Sequence, residues 1–224
     1  AFLVGSSSWP ESIKDGGDGY TYLKRHLVFL ILGFIAMGLA YRFPLNVIRK
    51  MSGALWIISL GFCLLLFTSL GVSRYGSARW LHIPGIGIQF MPSDLFKHAS
   101  VIFYAHLIAL SHGKRDRNFK VLLFVLAISV GVVVIRDFST AAVIGFALVS
   151  MLFVAGLKFI EGLIIVTGGI IGAISMIKIF PYRMTRLMSF LDPFDDIANT
   201  VWQLHNSLYA FGLGGVRGVG FLQS

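Results

Sequence analysis

Gly76-Ser77-Ala78-Arg79-Trp80-Leu81, followed after a Pro/Gly-rich span by Phe90-Met91-Pro92-Ser93-Asp94-Leu95-Phe96-Lys97, stands between two long apolar runs. That setting makes the stretch a loop joining two membrane helices. Trp80 and Arg79 suit the headgroup layer, where an amphipathic ring and a cation both stay wet. Pro84, Gly85 and Gly87 break any helix within it. Pro92-Ser93-Asp94 then reads as a helix start, with Ser93 as N-cap and Asp94 in the first turn. Lys97, three residues on, falls on the same face as Asp94. A carboxylate and an ammonium thus stand at the mouth of a membrane helix, where charge is costly unless paired or used. Two readings are open: helix capping with a local ion pair, or a polar cavity in which Lys97 meets an anionic phosphate and Asp94 holds it in place.

Outward from this loop, the composition points the same way. The 224 residues are 56% hydrophobic and 13% charged, with a mean hydropathy of +0.82. Such values exceed those of a soluble domain, and several apolar runs approach membrane-spanning length. The expected fold is all-α, a polytopic transmembrane helical bundle with an extracytoplasmic loop region. The formal net charge of +9 is not a nucleic-acid footprint, because basic residues beside membrane helices fix orientation or meet anionic lipid. The expected partner is therefore a membrane and not nucleic acid. Cys63, the only cysteine, sits in an apolar run, which excludes a disulfide framework and a thiolate metal site.

Taken in order, 1–8 reads as the end of a membrane helix, 9–26 as an external loop, 27–178 as about six membrane helices, and 179–224 as an extracytoplasmic loop with interfacial segments. Together they make one integral membrane domain, and both ends look cut, so the chain is read as a fragment. Lys114, Arg115, Arg117 and Lys120 form the densest basic cluster. The positive-inside rule places their turn in the cytoplasm and the 76–92 loop outside. Arg42, Arg49 and Lys50 agree with this, whereas Lys24 and Arg25 count against it. Val121 to Leu157 would span roughly 55 Å as one helix. Two helices reversing at Arg136-Asp137 fit better.

Asp137 is the clearest candidate for chemistry. A carboxylate at membrane depth, flanked by Ile135 and Phe138, is a functional hypothesis by default. The alternative is a turn residue that caps the helix starting near Ser139, with Arg136 as partner. Arg183, Arg186, Asp192, Asp195 and Asp196 could hold a diphosphate and a divalent cation such as Mg²⁺, which favours carboxylate and phosphate oxygens. They could equally be solvated interfacial charge. Gly212-Leu213-Gly214-Gly215, with Gly218 and Gly220, lacks the strand-before, helix-after context of a dinucleotide fingerprint. A tight backbone turn where only Gly fits is the better reading. No two of the six histidines have metal-ligand spacing; His98 and His106 read as polar packing. No nucleophile-elbow motif supports a Ser-His-Asp hydrolase.

These motifs resemble those of the SEDS family (shape, elongation, division and sporulation). The 76–97 stretch looks like its signature loop, and Asp137-Phe138-Ser139-Thr140-Ala141 like its second motif. Arg183, Arg186, Phe190-Leu191-Asp192-Pro193-Phe194, Gln203, Ser207 and the 212–220 glycines look like its third. The Phe-Leu-Asp-Pro-Phe wording is closer to the division and sporulation branch than to the rod-elongation branch. The resemblance implies a peptidoglycan glycosyltransferase of the bacterial cytoplasmic membrane. Such an enzyme polymerises lipid II at the outer face and pairs with a class B penicillin-binding protein. It further implies that Asp94, Lys97 and Asp137 form a buried polar cluster and that Arg183 and Arg186 stand near the substrate diphosphate. Arg79, Gln203 and Ser207 join them as expected substrate-binding residues, with Mg²⁺ or Mn²⁺ as the admissible cofactor.

The chain departs from the family pattern at several positions. Asp94 replaces a usual Glu, Met91 a Gln, Arg136 a Pro, Ser139 a Gly and Leu213 a Ser. The family's catalytic Asp belongs to a His-Thr-Asp loop expected beyond Ser224, so the fragment itself is expected to be inactive. The rival functions are a flippase moving the same lipid along the intramembrane charges, and a non-catalytic scaffold for division partners.

Overall fold

Apolar runs in lipid become helices because the hydrocarbon offers backbone amides and carbonyls no partner but each other. A computed structural model describes residues 2–14, 16, 18–74, 77–82, 89–111, 115–191 and 202–220. Three helices precede a small sheet: α1 (Phe2–Lys14), α2 (Thr21–Arg42) and α3 (Leu45–Leu65). The strands are β1 (Gly71–Arg74), β2 (Ser77–His82) and β3 (Gln89–Phe90). Then come α4 (Pro92–Leu110), α5 (Arg115–Val134), α6 (Phe138–Val154) and α7 (Phe159–Ile179). Two shorter helices, α8 (Pro181–Leu191) and α9 (Trp202–Gly214), complete the described chain. By length and composition α2, α3 and α7 can each cross a membrane. The all-α polytopic expectation holds.

The chain divides into two compact units, residues 1–43 with 175–224, and residues 44–174. In the first, Trp9 and Tyr20 pack edge to face with ring centroids 4.7 Å apart. That contact shortens the connection, so the 9–26 segment expected as a loop instead contains the end of α1 and the start of α2. Asp18 organises the remaining turn: its Oδ1 accepts from the Tyr20 amide at 3.1 Å and the Thr21 hydroxyl at 3.1 Å. Lys24 donates to its other oxygen. The Lys24 ammonium, then the Thr21 hydroxyl, hold the Asp18 carboxyl below its ordinary range. Their contribution to the turn is therefore present above about pH 4 and lost as the pH falls further. Of the glycine run expected as a turn, Gly212 and Gly214 lie within α9, and the turn follows it with positive φ at Gly215, Gly218 and Gly220.

The second unit is a bundle of α3 to α6. Its core holds Trp56 and Cys63 of α3, Phe96 and Tyr104 of α4, Leu122, Val125 and Val133 of α5, and Ala141, Ile144 and Leu148 of α6. Small residues bring the helices close, as membrane bundles require. A Cβ on Gly53, for example, would lie 3.5 Å from the Phe103 ring. At one end the α6 helix exits by a Schellman motif: Gly156 N–H donates to Phe153 O at 3.1 Å and Leu157 N–H to Leu152 O at 3.0 Å. Gly156 has φ +91°, where a side chain costs about 1 kcal/mol. Gly156→Ala is thus expected to lower the melting temperature in detergent by a few degrees. An unchanged melting curve would show that the α6–α7 turn can relax.

At the other end of this unit, the segment read as a loop is a three-stranded antiparallel sheet in the order β1-β2-β3. Val72 faces Trp80 and Ser73 faces Ala78, so the register passes over Arg79 in a bulge. Phe90 of β3 packs edge to face on Phe62 of α3, centroids 5.7 Å apart, which seats the sheet on the end of the bundle. Strands of 4, 6 and 2 residues are too short to show a pattern in sequence, and closure onto a helix end stabilises them instead.

Candidate functional site

Pro92 opens α4 in the first turn, where its missing N–H costs nothing. The residue flanking the helix is Met91, not Ser93 as the sequence suggested. Ser93 is buried and turns its hydroxyl across to α6, donating to Asp137 Oδ2 at 3.1 Å. Asp137 is the N-cap of α6, and its Oδ1 accepts from the Thr140 amide at 3.3 Å. The Ser139 hydroxyl donates to the same oxygen at 3.2 Å. Arg79 completes the arrangement, its Nε 3.7 Å from Asp137 Oδ1.

Asp137 is only 1% exposed. A carboxylate taken out of water survives as a charge only when its lone pairs are hydrogen-bonded and a cation is near. Here two hydroxyls, one amide and one guanidinium meet that demand. Each arrives from a different place: Ser93 from the start of α4, Ser139 and Thr140 from the first turn of α6, Arg79 from the bulge of β2. Bulges re-aim side chains next to functional sites, and this one falls at the residue that reaches the buried acid. Of the two readings of Asp137, the capping one is seen directly, through the Thr140 amide.

The three residues expected as one cluster are divided between two groups. Asp94 and Lys97 pair with each other at 2.8 Å on α4, with side chains 54% and 29% exposed. The Asp94 carbonyl also lies 2.7 Å from His98 Nδ1. Among the described residues, the cation facing Asp137 is Arg79 and not Lys97. The groups remain neighbours because Ser93 and Asp94 are consecutive. The partner expected for Asp137, Arg136, instead places its guanidinium 4.8 Å from the centre of the Phe67 ring.

Arg183 and Arg186 lie on α8, in the other unit. Arg183 stacks over Phe180 at 4.5 Å and Arg186 over Tyr182 at 4.9 Å. Ser207 is exposed on α9. Asp192, Asp195 and Asp196 fall outside the described residues, as does the side chain of Gln203. Among the described residues no group of three or more His, Cys, Asp or Glu is placed to hold a metal ion. Sequence reasoning missed the role of Ser93 as donor to Asp137. Its signal was available only as a Ser at a helix start facing an acid 44 positions away.

Comparison with known proteins gives a consistent result. The family model for FtsW, RodA and SpoVE, described as cell cycle proteins, matches residues 1–224. A protein of Aliivibrio salmonicida named "Probable peptidoglycan glycosyltransferase FtsW" is 35% identical over 222 residues, covering 97% of this chain and 55% of its own length. A Synechocystis protein of the same name is 33% identical over 217 residues, covering 96% and 55%. The chain therefore spans about half the length of these relatives. Among solved structures, a chain of a peptidoglycan synthase complex superimposes with TM-score 0.70 at 23% identity, covering 96% of this chain and 62% of that one. Thermus thermophilus rod shape determining protein RodA superimposes with TM-score 0.59 at 20% identity, covering 79% and 56%.

Proposed function

The chain belongs to the FtsW/RodA/SpoVE family of cell cycle proteins, and from that premise we propose that the protein containing it is a peptidoglycan glycosyltransferase. It polymerises lipid II at the outer face of the bacterial cytoplasmic membrane during cell division or sporulation. The observation that supports this reading most is the buried Asp137, held by Ser93, Ser139, Thr140 and Arg79 beneath the sheet. Intramembrane acids of this kind mark substrate pathways. In this reading a guanidinium, with five N–H donors, lets Arg79 hold Asp137 and a phosphate oxygen of the substrate together. Lys97, aligned by Asp94, supplies a second cation at the same end of the bundle.

In the proposed reaction a sugar 4-hydroxyl attacks the anomeric carbon of a second lipid-linked sugar. The new glycosidic bond forms as the bond to the polyprenyl diphosphate breaks. A carboxylate base takes the hydroxyl proton. Arg183 and Arg186 neutralise the departing diphosphate. Asp192, Asp195 and Asp196 would hold a divalent cation, Mg²⁺ or Mn²⁺, which would supply further charge stabilisation for the diphosphate. The class B penicillin-binding protein is the proposed partner.

The test is the full-length protein with that partner in vesicles containing lipid II. Glycan polymer is the expected product, and chelation of divalent cations is expected to reduce its yield. Movement of lipid II between leaflets with no polymer would replace this reading by transport. Normal septum formation with an inactive Asp137→Ala protein would leave only a scaffold.

A further inference from the structure

The second unit carries a groove of about 830 Å³ at the end opposite the sheet, lined by the last turns of α4 and α6 and the start of α5. Its walls include Ala105, Ile108, Leu122, Met151 and Leu157, with Ser111 and Ser150 as hydroxyls. The volume falls within the about 300–1,000 Å³ of small-molecule sites, and the lining is overwhelmingly apolar. The α4 wall, from Ala105 to Ser111, extends for roughly 10 Å at 1.5 Å per residue. That length takes part of one straight hydrocarbon chain.

The rim is charged. Phe119 and Leu157 line the groove, and each is followed directly by an exposed lysine, Lys120 and Lys158. The acid facing Lys158 is Glu161, which accepts from the Lys158 backbone amide at 3.2 Å at the start of α7. An apolar slot at a bundle end, with exposed Lys120 and Lys158 next to its lining residues, is complementary to an anionic lipid, tail in the slot and headgroup on the lysines. From this pairing we propose that the groove between α4, α5 and α6 is a binding site for an anionic glycerophospholipid. The proposal is independent of the glycosyltransferase reading, because its ligand is a membrane component and its residues lie at the other end of the bundle from Asp137.

The experiment is native mass spectrometry of the full-length protein, purified in detergent and titrated with phosphatidylglycerol or phosphatidylcholine. One phosphatidylglycerol is expected to bind in preference to phosphatidylcholine. Each cation beside an anionic headgroup is worth about fivefold in affinity. Lys120→Gln with Lys158→Gln should therefore cut the preference by roughly 25-fold while the tail still binds. Ala109→Trp, which fills the groove, should abolish retention of both lipids. Ala105→Leu serves as a milder filling change should the Trp variant not fold, and its melting temperature reports folding separately from binding. Equal retention of the two lipids by the unchanged protein would overturn the proposal. So would retention that neither filling variant alters, displacement of phosphatidylglycerol by an equimolar polyprenyl phosphate, or occupation of the groove by a second protein chain in cross-linking.

Discussion

Replacing Asp137 by Ala in the full-length protein is expected to abolish glycan polymerisation and to lower thermal stability at the same time. The two losses have separable causes. The carboxylate caps α6 through the Thr140 amide, and removing such a cap costs about 1 kcal/mol. It also neutralises Arg79 inside the protein, and breaking a buried pair from one side costs about 3–5 kcal/mol. Because the Arg79 side chain is 29% exposed, water screens part of that contribution and the lower end of the range applies.

Asp137→Asn separates the two causes. Asn caps nearly as well as Asp and still accepts from Ser93, but it offers Arg79 no charge. Its melting temperature should therefore lie between those of wild type and Asp137→Ala, with polymerisation as low as in the Ala variant. Arg79→Gln combined with Asp137→Asn should be no worse than either alone in stability, since both remove one interaction. Additive losses in that cycle would show that Arg79 and Asp137 act independently and that no functional pair joins the sheet to α6.

Trp56→Ala is expected to produce the largest loss of stability in the bundle with no residue of the site touched. Trp56 is 8% exposed and joins three helices. Its indole faces Phe96 at 6.0 Å and Phe103 at 5.4 Å on α4, and its Nε1 donates to Ser129 Oγ of α5 at 3.2 Å. Emptying such a position costs about 3–5 kcal/mol in packing. The single hydrogen bond is a minor part, because interhelical hydrogen bonds in membranes average about 0.6 kcal/mol. Ser129→Ala should consequently shift the detergent melting temperature by only a small fraction of the Trp56→Ala shift. Equal shifts would mean that the hydrogen bond, rather than ring packing, holds α3 to its neighbours.

Much of this protein is legible along the chain because lipid is a strict solvent. A run of apolar residues long enough to cross it has one stable backbone state, so the helices and the reversal at Arg136-Asp137 follow from composition and length. The same strictness singled out Asp137, since an acid at that depth must have a use or a partner. The glycine turn after α9 follows from φ angles that only Gly adopts without cost.

What could not be read was who meets whom. The three strands of 71–90 are too short to declare themselves, and they form because Phe90 seats on Phe62. Ser93 had the sequence of an N-cap, yet Met91 takes the flanking position, and Ser93, one residue inside the helix, donates its hydroxyl to a buried carboxylate 44 positions away. Arg136 was nearest to Asp137 in sequence, but a bulge in β2 brings Arg79 to the acid, while the Arg136 guanidinium lies over the Phe67 ring. Local chemistry decides which groups cannot stand alone in a membrane. Choosing their partners depends on distances between segments far apart in the chain, and only the packed bundle sets those.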